Sequence, residues 1–167
     1  MANTYEAIAT VTLSSAQSSI TFSAIPQTYT DIQILFSVRG SAATGNILFA
    51  PNGSTANRTA RLLYGDGSNA ASASDSGQPF IFSYAVPSGN TSNTFSNISY
   101  YIPNYTSSNE KNVSVDGVTE NNATTAFAFL STSLLGTSPI SSIELSLYFG
   151  GNFVQHSTAT LYGIKNS

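Results

Sequence analysis

The chain has 167 residues and no cysteine, which leaves room for one domain and excludes disulfides, thiol catalysis and cysteine-based metal sites. Charged residues make up 8% of the chain, against about 25% in an average globular protein. The net charge of −3 and the five scattered Lys and Arg residues exclude a phosphate-tracking patch, so we expect no nucleic-acid partner.

Apolar and polar residues alternate through most of the chain, which is the pattern of strands with one buried and one solvated face. The clearest examples are residues 31–39 and 142–149, and in the first of these Asp31 and Arg39 fall at solvated positions. Eleven strands are predicted, over residues 5–13, 20–25, 31–39, 46–50, 58–64, 80–86, 95–102, 113–118, 125–132, 142–149 and 158–164.

Turn-forming residues separate these strands, while the apolar spacing of an amphipathic helix is absent from the sequence. The predicted turns are Asn52-Gly53, Asp66-Gly67, 87–90, Asp116-Gly117 and 150–152. Residues 65–77 are rich in Gly, Ser, Ala and Asn and are predicted to form a long loop, a kind of segment that is often mobile, functional or ordered by a neighbour. Its small side chains favour mobility or a close subunit contact.

Many short strands with regular turns are typical of an all-β fold. We therefore expect residues 1–167 to form a single domain, an antiparallel two-sheet β-sandwich with a jelly-roll-like arrangement. No apolar run approaches the roughly 20 residues that span a bilayer. Residues 1–6 lack the basic and apolar regions of a signal peptide, so we expect neither a membrane anchor nor export.

Catalytic and metal-binding patterns are weak. His156 is the only histidine, and no Gly-x-Ser-x-Gly motif accompanies it. The eight carboxylates show no pattern of a catalytic pair, and the oxygens of Asp66, Ser68, Asn69 and Asp75 lack the spacing of an EF-hand. The sequence therefore predicts a protein that is not an enzyme, with no catalytic residue, metal or cofactor.

Tyrosine is the most suggestive residue type, because the chain has nine Tyr and no Trp. A Tyr ring near Asn, Ser and Gly is typical of surfaces that contact proteins or sugars, although Tyr also packs well in half-buried strands. Both interpretations stay open at this stage. The predicted subunit or ligand contacts are Tyr64, Asp66, Asn69, Asp75 and Tyr105.

Three segments near the two ends of the chain carry a resemblance. They are residues 1–10 (MANTYEAIAT), 22–32 (FSAIPQTYTDI) and 158–165 (TATLYGIK). Each resembles the corresponding block of small virion proteins of tailed phages, especially marine and cyanobacterial ones. The middle of the chain is not matched, and no block is a chemical motif, so the resemblance transfers no site residue.

The resemblance implies a virion component. The first expectation is a capsid decoration or cement protein, located in the virion, whose copies associate as trimers and bind the major capsid protein or other virion proteins. The alternative is a tail or head-fibre module that recognises a host-surface glycan. A sandwich that is rich in Ser and Thr and poor in charge suits dense arrays of copies, because its self-repulsion is low.

Overall fold

Eleven strands form the regular structure in the computed structural model, which describes residues 5–55, 59–77, 81–121 and 125–165. Within these residues, no helix is long and apolar enough to cross a membrane. The strands are β1 (Tyr5–Thr12), β2 (Ser19–Phe22), β3 (Asp31–Ser37), β4 (Ile47–Pro51), β5 (Thr59–Gly65), β6 (Ala70–Ser76), β7 (Asn97–Ile102), β8 (Lys111–Asn121), β9 (Thr125–Gly136), β10 (Ile143–Leu147) and β11 (Thr158–Ile164).

The strands form two antiparallel sheets. The large sheet has eight strands in the order β1-β11-β3-β7-β8-β9-β5-β6, and the small sheet has three in the order β2-β10-β4. From β1 to β5, and again from β9 to β11, successive strands alternate between the two sheets, which is the jelly-roll-like feature of the fold. The expected all-β, two-sheet sandwich is confirmed.

The core lies between the small sheet and the central strands of the large one. Side chains from both sheets are at most 1% exposed there: Ile34, Tyr100 and Val115 from the large sheet, and Phe49 and Leu145 from the small sheet. The Tyr100 ring meets the rings of Phe49 and Phe36 edge to face, each at 5.0 Å between centroids. Tyr100 therefore joins the two sheets through aromatic contacts, which favour this geometry.

The predicted strand over residues 80–86 is wrong for the part that the structure describes. Within residues 81–86, Tyr84 and Val86 form isolated bridges to Asn46 and Arg39, and the segment does not form a strand. It runs alongside residues 45–47, where β4 begins. Ile47 N donates to the Ser83 carbonyl at 2.9 Å, and Ala85 N donates to the Gly45 carbonyl at 2.8 Å. Ile81, Ala85 and Val86 are buried although the segment is not a strand, so the apolar spacing imitates one. Phe80 lies outside the described residues.

Asp31 and Arg39 were expected to face solvent but are 4% and 8% exposed. The Arg39 guanidinium donates to the carbonyl oxygens of Ser88, Asn90 and Thr91, at 2.7 to 3.1 Å. Arginine has five donors in a fixed fork, so one side chain can order several carbonyls of a loop. Residues 87–94 are held against the sandwich in this way.

The predicted turn at Asp116-Gly117 is also wrong, because both residues lie within β8. Gly117 is needed for a different reason. A Cβ atom at this position would overlap the ring of Phe129, which packs over the glycine from the neighbouring strand β9. The residue therefore makes space for a buried ring and does not reverse the chain.

We expect Gly117→Ala to lower the free energy of unfolding by about 1–3 kcal/mol, the usual cost of overpacking a core. Chemical denaturation measures the change. Gly89→Ala is the matched control, since nothing lies within 4 Å of a Cβ built there. Equal stability of the two variants would contradict this role for Gly117.

Candidate functional site

The solvent-facing side of the large sheet, here called the outer face, carries two rows of directly paired residues that cross all eight strands. The leucine row is Thr10, Thr160, Leu35, Ser99, Asp116, Leu130, Leu63 and Ser72. The tyrosine row is Ala7, Tyr162, Gln33, Tyr101, Ser114, Thr132, Arg61 and Ser74. The rows are named for the large side chains that recur in them, three leucines in the first and two tyrosines in the second.

Leu63 and Leu130 form an apolar ridge on the outer face, here called the leucine ridge. The two residues are direct cross-strand partners on β5 and β9, and 60% and 58% of their surfaces are exposed. Single exposed leucines are ordinary, but two in contact on a sheet face make a patch of the kind that binds other proteins.

A groove lies on each side of the leucine ridge. The larger, of about 820 Å³, is lined by small residues such as Gly65, Ala70 and Ala128. The smaller, of about 440 Å³, is lined by Arg61 and Ser74 among others. Both exist because the side chains beside the ridge are short. A ridge between two grooves can interdigitate with a complementary protein surface, as side chains do in a packed core.

Tyr5, Tyr101 and Tyr162 form a second feature, here called the tyrosine cluster, near the opposite edge of the same face. The rings of Tyr5 and Tyr162 meet at 6.3 Å between centroids with an interplanar angle of 71°. Gln33 is the direct cross-strand partner of both Tyr162 and Tyr101, and its Nε2 donates to Ser99 Oγ at 3.0 Å. Tyr5 is exposed, while Tyr101 and Tyr162 are half-buried. Rings beside an amide and a hydroxyl can both stack against a ligand and hydrogen-bond to it.

The Tyr101 hydroxyl donates to Asp31 Oδ2 at 2.7 Å, and Asn104 N donates to Asp31 Oδ1 at 2.9 Å. The hydrogen bond to the Asp31 carboxylate, helped by burial and by the negative charge, raises the pKa of Tyr101 to about 12. The buried carboxylate thus fixes one ring of the tyrosine cluster in place.

The outer face carries little charge. In the two rows, the charged residues are Asp116 and Arg61, of opposite sign. Contact with another surface therefore requires little desolvation of charge, the costliest part of forming an interface. The arrangement suits binding by burial of apolar area and by neutral hydrogen bonds.

The predicted loop over residues 65–77 is wrong, because residues 70–76 form β6 and pair with β5 along its whole length. The turn between the two strands is closed by Asp66. Its Oδ1 accepts from the backbone N–H groups of Ser68 and Asn69 at 2.9 and 2.7 Å, and these bonds lower the pKa of the carboxyl. The strand is formed by backbone pairing with β5, and its small side chains bury little. Its sequence therefore lacks the alternation of large apolar and polar residues that predicts a strand.

The structure brings together Tyr64, Asp66 and Asn69 at the turn end of the β5–β6 hairpin. Asp75 lies at the other end, opposite Ala60, roughly 20 Å away at about 3.3 Å per residue. Tyr64 belongs to the inner side, where its ring stacks on Phe127 at 5.4 Å.

Tyr105 was expected to be a contact residue and is fully buried. Its hydroxyl donates to the carbonyl oxygen of Pro26, so it serves the core and offers no surface to a ligand. His156 is exposed in a turn before β11, with a φ of 72°. Within the described part of the chain, no three His, Asp or Glu side chains form a group that could hold a metal ion.

Sequence reasoning did not identify the leucine ridge, although a signal was present. Leu63 lies two residues from Arg61 and Leu130 two residues from Thr132, so each leucine shares a strand face with a polar residue. Large apolar residues on the strand face that otherwise carries polar residues indicate a binding surface.

The tyrosine cluster gives the protein a pH dependence in base. The hydrogen bond to Asp31 raises the pKa of Tyr101 to about 12, and burial raises the pKa of Tyr84, outside the cluster, to about 12 as well. The folded protein therefore holds these two protons more tightly than the unfolded chain does. We expect stability to fall as pH rises from about 10 towards about 12, with little change below. Urea denaturation across this range measures the fall, which should be shallower in Tyr101→Phe. An identical slope in the two proteins would contradict the assignment.

The chain was compared with known proteins at three levels. No family model, no curated protein and no solved structure matches it.

Proposed function

We propose that the chain is a non-enzymatic structural protein of a virion, a capsid decoration protein that binds the assembled shell and stabilises it. Its partners in this role are the major capsid protein or other virion proteins. Its own copies associate as a homo-oligomer, which we propose is a trimer.

The observation that supports this role best is the leucine ridge between its two grooves. Two leucines, each about 60% exposed and paired directly across neighbouring strands, lie on the regular surface of a sheet and not in a loop. A site on a rigid element loses little entropy on binding. Covering the exposed part of each leucine contributes about 1–2 kcal/mol at the usual value for buried apolar surface.

Many copies on one shell turn a modest contact into a large total. Each copy adds its own buried area to the joint between shell subunits, and the total grows with the number of copies. The low charge of the outer face helps, because neighbouring copies repel one another little. A decoration protein needs both properties.

The copy number in purified virions of the virus that encodes the chain tests the role directly. Quantitative mass spectrometry against the major capsid protein measures it. A number comparable to that of the shell subunits is expected, whereas a handful of copies per particle would exclude a decoration role.

The leucine ridge can be tested separately by replacing both leucines. We expect Leu63→Ser with Leu130→Ser to weaken attachment to the shell by at least about tenfold, since each substitution removes about 1–2 kcal/mol of apolar burial. Co-sedimentation with shells lacking the protein measures attachment. Phe149→Ser is the matched control, because Phe149 is 63% exposed but lies beyond the small sheet strand β10. Equal loss in both proteins would contradict the ridge as the contact.

The tyrosine cluster favours a second function, a tail or head-fibre module that binds a host-surface glycan. Tyr5 is 60% exposed, and Gln33 and Ser99 place an amide and a hydroxyl beside the rings. Aromatic rings stack on the apolar faces of sugars while such polar groups bind their hydroxyls.

Binding of the purified chain to host cells or lipopolysaccharide distinguishes the two functions. A fibre module should bind, and Tyr5→Ser with Tyr162→Ser should abolish binding while leaving attachment to shells unchanged. A decoration protein should show no such binding and should depend on the leucine ridge.

A further inference from the structure

The two sheets have four edge strands, and three of them are protected against pairing with another chain. In β1 the register shifts between Ala7 and Ala9, a bulge that interrupts a regular ladder. β2 has only four residues. The first residue of β4, Ile47, donates its backbone N–H to the Ser83 carbonyl, so one end of this short edge is occupied. Short strands, bulges and covered edges are the usual devices by which β proteins avoid edge-to-edge association.

β6 has none of these protections. It is the last strand in the order of the large sheet, so within the described residues its second edge has no strand beside it. Its seven residues pair with β5 in one unbroken register from Ala70 to Ser76. The strand contains no proline and no lysine, the residues that most often block an edge. A regular row of backbone donors and acceptors is therefore open to another strand.

The side chains of β6 also leave room for a partner. They are Ala, Ser and one Asp, and all except the half-buried Asp75 are exposed. Even Ala71 and Ala73, whose partners Tyr64 and Leu62 belong to the inner side of the sheet, are exposed. Small side chains on both faces let a second strand approach without a clash.

We infer that β6 pairs antiparallel with β6 of a second copy of this chain, which joins two large sheets edge to edge. The inference does not depend on the virion role, since it rests on the edge strand and not on the leucine ridge. The contact relates two copies by a two-fold axis, so it is additional to the trimer of the proposed function.

The sequence of β6 is compatible with itself in this arrangement. When all seven residues overlap, Ala73 lies opposite Ala73 of the second copy, and small residues face small residues throughout. The only charged residue, Asp75, then lies opposite Ala71 of the other copy. The two aspartates are separated by four positions, about 13 Å along the strand at about 3.3 Å per residue, which exceeds the roughly 8 Å over which salt screens charges.

One added strand buries less surface than the roughly 1,200 Å² of a standard stable interface, so the pairing depends on protein concentration. Disulfide cross-linking can capture such a weak contact. Because the chain has no cysteine, an introduced cysteine is the only thiol that can react. We would place a single cysteine at Ala71, Ser72, Ala73 or Ser74 and follow disulfide-linked dimers under mild oxidation. Ala7→Cys, an exposed alanine in the bulged edge strand β1, is the matched control.

We expect Ala73→Cys to form dimers fastest of the four, at least about tenfold faster than Ala7→Cys, because pairing raises the local concentration of the two thiols. The fastest dimer formation at position 73 would indicate that all seven residues of the two β6 strands overlap. Rates at all four positions equal to the control would overturn the proposal and leave the edge to a strand of another protein.

A second measurement needs no thiol. A lysine at Ala73 places two positive charges opposite each other and blocks the edge. We expect Ala73→Lys to abolish the concentration-dependent two-fold step in sedimentation velocity, the doubling of whichever unit other contacts form, while Ala7→Lys leaves that step unchanged. Circular dichroism checks that both variants fold, as expected for substitutions at exposed positions. Undiminished association of Ala73→Lys would also overturn the pairing.

Discussion

The three-stranded sheet is too narrow to cover the eight-stranded sheet, and this difference in width decides which strands form the core and which remain at the surface. Under the small sheet, Ile34, Tyr100 and Val115 are fully buried. At the far end, the inner side chains of β6 are exposed although they belong to the same sheet. The sandwich thus has a packed centre, which includes Ala60 and Leu62 of β5, and an edge strand, β6, that extends beyond it.

This division separates the parts of the molecule that hold it together from the parts available for binding. Tyr100 meets one ring from each sheet in the centre, and burial of such rings supplies the main stabilisation. The β5–β6 hairpin at the end of the large sheet carries Leu63 on its outer face and, within the described residues, the unpaired edge of β6. Both proposed contacts, one with a shell and one with a second copy, use this hairpin in different ways. The first uses its face and the second uses its edge.

Where buried polar groups occur, they order loops and surface rings. The buried Arg39 guanidinium donates hydrogen bonds to backbone carbonyls of residues 88–91. The Asp31 carboxylate accepts a hydrogen bond from the Tyr101 hydroxyl. Each is a charged group whose hydrogen-bonding capacity is used within the protein, as the cost of burying charge requires. The alternation of the sequence placed both at solvated positions because a side chain's partners across the fold do not appear in its local pattern.

The sequence by itself determined the fold class, most strand positions and the low charge of the surface, because burial on one side of a strand imposes a period of two. It did not reveal β6, whose Ala and Ser residues bury nothing and are ordered by pairing with β5. The core position of Tyr105, the space that Gly117 leaves for Phe129 and the meeting of Leu63 with Leu130 depend on residues distant in the chain. Only the tertiary structure decides such contacts, because pairing between distant strands sets which side chains become neighbours.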